Sequence, residues 1–303
     1  MSPKTWQIKD LLKVSSDYLR DKGIENPRLN AEVLLAHQLH MERVGLYLNF
    51  DQPLTETELS SFRSLIKRRL HHEPLQYITG TQEFWSLDFT VNPHVLIPRP
   101  ETEIIVEQGI ALAKSLKPNI QGLKILDLGT GCGAIAIALA KEIPDASVWA
   151  TDISDEALGV ARRNASRHGV SERVCFCQGD LWERLPEGVN RFDMIVSNPP
   201  YVSTEEYNDL SPEVRDYEPR QALEGREGGM YYIEKIIKGA HDLLNPGGWM
   251  ILEMAPWQTQ KALDVITGTG EYQRKTRIKD YSRRYRVVMA QGLRNRGIQE
   301  LRN

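Results

Sequence analysis

Apolar positions recur at helical spacing near the start of the chain. Ile8, Leu11, Leu12, Ser15 and Leu19 fall on one stripe, the arrangement of a helix with one face turned to a core. The stretch NAEVLLAHQL continues in the same style. Thr55 followed by Glu58 spells a capping box, after which Leu59, Phe62, Leu65, Ile66 and Leu70 mark a further amphipathic helix. Residues 1–76 therefore read as a self-contained helical domain, serving either to dock a partner or only to support folding.

At EFWSLDFTV large apolar and polar residues alternate around a short turn, which predicts a β-hairpin within a linker at 77–100. Beyond it, from 101 to 303, short apolar runs alternate with helical patterns. LKILDLG, SVWATDI, RVCFCQ, RFDMIVS and GWMILEM read as strands, separated by helices in GAIAIALAKEI, DEALGVARRNASRHG and MYYIEKIIKGAHDLL. That order predicts an α/β domain whose parallel sheet is covered by helices on both faces. Ser154 stands as an N-cap with Asp155 and Glu156 in the first turn. YQRKTRIKDYSRRYRVVMAQG predicts two last strands turning near Asp280 and Ser282, an antiparallel edge on the sheet. Val202 to Gly229 reads as a long acidic loop with Pro212 and Pro219, a lid or a docking loop. Its Asp209, Glu213, Asp216 and Glu218 are expected as surface charge.

Composition narrows the function. Lys and Arg number 38 against 41 Asp and Glu, a net charge of −3, which argues against dominant nucleic-acid affinity. The basic stretches IKRRLHH and Arg274 to Arg286 read as solvated faces. No apolar run approaches the about 18 residues of a membrane span, and the first residues lack a signal-peptide core; a cytoplasmic protein without membrane contact is expected. Three cysteines, Cys132, Cys175 and Cys177, suit a reducing interior. Cys175 and Cys177 are expected on opposite faces of a strand, as packing residues, and no metal site is predicted. His71 and His72 are read as capping a helix end.

ILDLGTGCGAIAIALA puts Gly129, Gly131 and Gly133 between the first strand of the sheet and its first helix. Glycine there allows positive φ and a close backbone approach to a ligand beyond the strand ends. Asp152 ends the next strand, where a carboxylate can accept from both hydroxyls of a ribose. The pair implies an adenosine-containing cofactor. Gly131-x-Gly133-x-x-Ala136 fits a dinucleotide fingerprint, while Asp127-x-Gly129-x-Gly131-x-Gly133 resembles the first motif of class I methyltransferases.

The strand FDMIVS delivers Asn198, Pro199, Pro200 and Tyr201 to the same rim. The prolines hold the backbone extended and donate no N–H. The Asn198 side-chain oxygen and the Pro199 carbonyl are then able to accept both hydrogens of a planar NH2 group, aiming its lone pair at an electrophilic methyl carbon. A Tyr201 ring face would attract the charge that grows on the nitrogen. SNPPY resembles the catalytic motif of methyltransferases acting on adenine in DNA or glutamine in proteins.

EPLQYITGTQEF, VLIPRPETE, DLGTGCG, SNPPY, YEPRQAL and LNPGGWMILE together resemble the HemK/PrmC family over nearly the whole chain. That family methylates the glutamine of the Gly-Gly-Gln loop in class I peptide chain release factors. The resemblance implies a class I S-adenosylmethionine-dependent, Rossmann-like methyltransferase domain. By it, Gly129, Thr130, Gly131, Cys132, Gly133 and Asp152 would bind S-adenosyl-L-methionine, which leaves as S-adenosyl-L-homocysteine, with Trp182, or Leu181 inserted before it, flanking the adenine. Asn198, Pro199, Pro200 and Tyr201 would hold the glutamine amide, with Asn198 also close to the cofactor. Glu101 and Thr102 would border the cofactor pocket, and the helical domain would help recognise the release factor, with no direct nucleic-acid substrate. Two positions depart from the family pattern, Gly229 and Ala255. The alternatives are an adenine-N6 nucleic-acid methyltransferase, a ribosomal-protein glutamine methyltransferase, and a noncatalytic binding module that keeps the pocket.

Overall fold

The computed structural model describes residues 5–116, 122–189 and 191–294 of the chain. They form two compact units: the described residues through Thr81 together with Ser211–Tyr217, and Gln82–Leu210 with the described residues from Glu218 onward.

The first unit is helical, with α1 (Ile8–Asp21), α2 (Pro27–Gln38), α3 (Arg43–Leu48), α4 (Glu56–Leu70) and α5 (Leu75–Thr79). The predicted stripe is its core: Ile8, Leu12, Leu19, Leu34, Leu35 and Phe62 are almost wholly buried. The capping box opens α4. Glu58 N donates to Thr55 Oγ1 at 3.2 Å and Thr55 N to Glu58 Oε2 at 2.7 Å, which satisfies donors that a helix start otherwise leaves unpaired. His71 is the C-cap of that helix, its N–H donating to Arg68 O at 3.0 Å. Ser211–Tyr217 belongs to this unit because Glu213 pairs with the buried Arg69 at 2.7 Å and Tyr217 Oη donates to His71 O at 2.7 Å.

The second unit begins at Gln82, within the hairpin of β1 (Thr81–Phe84) and β2 (Leu87–Thr90). Its turn residues Trp85 and Ser86 have φ of 54° and 56°, the left-handed pair a tight hairpin demands and usually assigns to Asn-Gly. The strain, about 1–2 kcal/mol per residue, is held by Trp85 N donating to Glu103 at 2.8 Å and the indole Nε1–H to Glu142 at 3.0 Å. Phe84 and Phe89 are buried edge to face, centroids 6.0 Å apart.

After α6 (Glu103–Leu116) come β3 (Lys124–Leu128), α7 (Ala134–Glu142), β4 (Ser147–Asp152), α8 (Asp155–Arg167), β5 (Val174–Gln178) and β6 (Phe192–Ser197). The short helices α9 (Thr204–Tyr207), α10 (Pro212–Arg215) and α11 (Arg220–Leu223) follow, then α12 (Tyr231–Leu243), β7 (Leu244–Glu253), α13 (Gln258–Thr269), β8 (Tyr272–Lys279) and β9 (Tyr285–Gly292). The sheet order is β5-β4-β3-β6-β7-β9-β8. β3 to β7 run parallel, while β9 pairs antiparallel with both β7 and β8, the edge expected from the last apolar runs. Every residue of β6 is buried, as a parallel strand covered on both faces requires. Strand order reverses between β3 and β6, which opens a crevice at the C-terminal rim. Register aligns that rim: Leu128 faces Thr151 on one side and Ser197 on the other. Gly129, Asp152 and Asn198 therefore emerge side by side.

Three expectations fail here. Cys175 and Cys177 share a face of β5, their Sγ atoms 3.8 Å apart, because residues two apart on a strand point the same way. The segment after the asparagine is not an open acidic loop but is broken into short helices, the first capped reciprocally by Ser203 and Glu206. Glu218 in it is buried rather than surface charge, accepting from Ile97 N at 3.1 Å and pairing with Arg99. Among the described residues, no helix is long and apolar enough to cross a membrane.

Candidate active site

The glycine turn is folded by its own strand end. Gly129 N and Thr130 N both donate to Thr151 O at 2.9 Å, which turns the chain off β3 toward β4. Gly131 N then donates to Asp152 Oδ2 at 2.8 Å, and Ser154 N to Asp152 Oδ1 at 3.0 Å. Gly129 and Gly131 have φ of 72° and 57°, and a Cβ on either would meet no atom within 4 Å. It would stand in open space that the absence of a side chain keeps for a ligand. Gly133 differs: its Cβ would lie 2.8 Å from Ile137 Cδ1, so it serves the packing of α7. Thr130 Oγ1 donates to Asp127 at 2.7 Å and Asn164 Nδ2 to Cys132 O at 2.9 Å, so Thr130, Cys132 and Gly133 shape the turn rather than line the space beyond it.

That space is a cleft with about 740 Å³ of empty space, part of it open to solvent, lined by Gly129, Gly131, Asp152, Asn198 and Pro200 among the predicted residues. Burial raises the Asp152 carboxyl above its usual range, opposed by backbone N–H groups of Ser154, Gly131 and Ile153. The buried Asp127 is pushed up to about 7 by desolvation, and its Oδ1 has no hydrogen-bond partner among the described residues. Leu96, Leu181, Gln221 and Tyr232 are also on the wall; Leu96 and Gln221 lie within the motifs VLIPRPETE and YEPRQAL, while no motif pointed to Tyr232. Trp182 does not line the cavity. Its indole packs on the α12 side of the core, where a Cβ on Gly239 would come within 2.3 Å of it, and Leu181, at φ 54°, lines the cavity instead. Glu101 and Thr102 also lie off the cavity wall. Thr102 instead sits behind the asparagine, where its Oγ1 accepts from Asn198 Nδ2 at 3.1 Å.

A second hollow of about 310 Å³ is lined by Arg99, Asn198, Pro199, Tyr201, Ala222 and Leu223 among others. Asn198 borders both hollows, and the bond to Thr102 fixes its amide so that Oδ1 is the atom left to accept. The backbone beyond it is clamped from the rear. The wholly buried Gln258 donates through Nε2 to Tyr201 O at 2.8 Å and Gly229 O at 3.0 Å, and accepts from Ala255 N at 2.9 Å. Gly225 and Gly229 fit because a Cβ would strike the Pro200 and Tyr201 backbone at 2.6 Å and 2.2 Å. Both departures from the family pattern, Gly229 and Ala255, thus lie on this clamp. Tyr201 Oη donates to Glu253 Oε1 at 3.4 Å, and burial pushes the phenol up. Ser197 Oγ donates to Leu128 O at 2.6 Å and ties the end of β6 to β3.

Comparison with known proteins adds a family. The PrmC N-terminal domain family matches residues 10–80, and the methyltransferase small domain family matches residues 107–212. The release factor glutamine methyltransferase of Geobacter sulfurreducens is 47% identical over 268 residues, covering 88% of this chain and 91% of that protein. The enzymes of the same name from Chlorobaculum tepidum and Rhodopirellula baltica are 45% and 38% identical, covering 83% and 94% of this chain and 86% and 96% of theirs. Among solved structures, the hMettl16 catalytic domain, in complex with an RNA hairpin, shares the fold with a TM-score of 0.52 at 14% identity, covering 82% of this chain and 86% of that one.

Proposed function

The chain belongs to the release factor glutamine methyltransferase family, and from that premise we propose that it transfers a methyl group from S-adenosyl-L-methionine to the side-chain amide nitrogen, N5, of the glutamine in the Gly-Gly-Gln loop of class I peptide chain release factors. One observation carries the reading: Asn198 stands between a cavity with a glycine floor and a smaller hollow lined by Pro199 and Tyr201.

The larger cavity suits the methyl donor. Gly129 and Gly131 leave room against the backbone, Asp152 keeps lone pairs for ribose hydroxyls, and Leu96, Leu181 and Tyr232 offer apolar surface to an adenine ring. Bound S-adenosyl-L-methionine would supply an electrophilic methyl group on a sulfonium, released as S-adenosyl-L-homocysteine when the nitrogen–carbon bond forms and the carbon–sulfur bond breaks. From the other side, Asn198 Oδ1 and the Pro199 carbonyl accept the two amide hydrogens of the glutamine. Their directions favour a pyramidal nitrogen with its lone pair aimed across Asn198 into the cavity. The same acceptors and the Tyr201 ring stabilise the positive charge arriving on that nitrogen. No strong base is required, because the methylated nitrogen is acidic and sheds its proton to water.

Labelled S-adenosyl-L-methionine incubated with release factor, its Gln→Ala loop variant and duplex DNA tests this reading. Label is expected on the release factor and not on its variant. Label on DNA alone would make the protein an adenine methyltransferase, and label on none of the three would leave a binding module.

A further inference from the structure

The carboxylate behind the asparagine closes the stretch LNPGGWMILE, and the resemblance gives it no role. β7 ends at Glu253, and its register with β6, Ser197 facing Leu252, sets Glu253 beside Asn198 on the rim. The side chain is 1% exposed. Its Oε1 accepts from Tyr201 Oη, and Oε2 has no hydrogen-bond partner among the described residues. A buried carboxylate costs several kcal/mol unless charged partners and hydrogen bonds offset it, and Glu253 does not line the larger cavity.

Thr102 supplies the connection. Its Oγ1 accepts from Asn198 Nδ2 at 3.1 Å, and Thr102 favours the charged form of Glu253, although no hydrogen bond of ordinary length joins its hydroxyl to Glu253 Oε2. Resting on the function stated above, we propose that Glu253 is a positioning residue for methyl transfer: through the Thr102 hydroxyl it orients and polarises the Asn198 amide, and through Tyr201 it fixes the ring beside the reacting nitrogen. In such a chain each hydrogen bond strengthens the next. A carboxylate drawing on the Thr102 proton makes Oγ1 a better acceptor for Nδ2–H, which shifts electron density to Asn198 Oδ1, the atom that grips the glutamine amide. The same chain forbids the flipped amide, which would turn a donor toward two donor hydrogens.

The relay works only with Glu253 ionised. Burial pushes its carboxyl up to about 7, with Glu101 raising it further, while Thr102, Arg286 and Tyr201 favour the charged form. Arg286, which shares its charge with Asp280 at 3.6 Å, is the cation facing it from β9. Turnover should therefore fall as pH drops through about 7, where Glu253 takes up a proton.

Three variants test this, each assayed on release factor with cofactor binding measured separately. Glu253→Gln is expected to lower kcat about 10- to 100-fold, to leave KM for release factor and cofactor affinity unchanged, and to flatten the acid limb near pH 7. Thr102→Val should lose as much, and Thr102→Ser should restore wild-type rate. If Glu253→Gln fails to fold, the valine and serine pair at 102 decides alone. Wild-type kcat with the acid limb intact in Glu253→Gln, or in Thr102→Val, overturns the inference while leaving the function standing. Wild-type protein that does not label the release factor glutamine overturns the function, and this inference with it.

Discussion

The two hollows that meet at Asn198 are made of different material. The larger is floored by backbone: Gly129 and Gly131 present main chain, and Asp152 is aimed by two N–H groups, one from the glycine turn and one from the turn after β4. The smaller is shaped by a rigid peptide, Asn198 to Tyr201, that cannot hold itself and is gripped from behind by Thr102, Gln258 and Glu253. A donor that must be bound and released needs room, which glycine gives. A weak nitrogen nucleophile needs aim, and aim comes from fixing a few acceptors within a few tenths of an ångström. Damage on the first side should therefore appear in affinity, and damage on the second in turnover.

The sharpest break in that contrast is Asn198→Ala. Removing one of two acceptors at the reacting nitrogen is expected to cost about 10²- to 10³-fold in kcat, with cofactor affinity and melting temperature close to wild type; a variant that keeps full turnover would end the amide-clamp account. Gly131→Ala belongs to the other side. At φ 57° the new residue bears about 1–2 kcal/mol of strain and puts a methyl group into the cavity, so cofactor Kd, read by calorimetry, should rise about tenfold or more while kcat at saturating cofactor stays within about threefold.

The same contrast explains what the sequence could say. The glycine floor was legible because only glycine tolerates those angles, and Asp152 because its place at a strand end is fixed by the fold. Asn198 to Tyr201 was legible because two prolines after a buried strand leave the chain few shapes. The support was not. Gln258 opens an ordinary helix, Glu253 ends an ordinary strand, and Thr102 lies 96 residues from the amide it receives; the register of β6 with β7 sets Glu253 beside Asn198, and tertiary packing brings the other two. The cysteine pair shows the opposite failure, since strand periodicity alone places Cys175 and Cys177 on one face. Glu218 was read as surface charge because its neighbours are acidic, yet Arg99 and the Ile97 N–H bury it.

Gln258 sharpens the comparison from the rear. Its amide makes three hydrogen bonds that hold the Tyr201 carbonyl, Gly229 and Ala255. Gln258→Leu leaves those groups unsatisfied, and each buried orphan costs about 1–3 kcal/mol. A drop of several degrees in melting temperature is expected together with about a tenfold loss of kcat, whereas cofactor affinity should hardly move. Equal losses in affinity and turnover would mean that the clamp supports the whole rim and not the acceptor side.

The smallest effect distinguishes the adjacent residues at the cavity wall. Leu181 lines the cavity and Trp182 does not, its indole lying over Gly239 on α12. Trp182→Phe removes part of a packed ring, so stability should fall by about 1–3 kcal/mol while cofactor Kd stays within about twofold. Leu181→Ala withdraws a few methyl groups from the ligand's side, worth about 1 kcal/mol, and should raise Kd about threefold to tenfold. The two Kd values, measured under one condition, decide the matter: an adenine that rests on Trp182 would reverse their order, because an aromatic face lost from a bound ring costs more than an aliphatic edge.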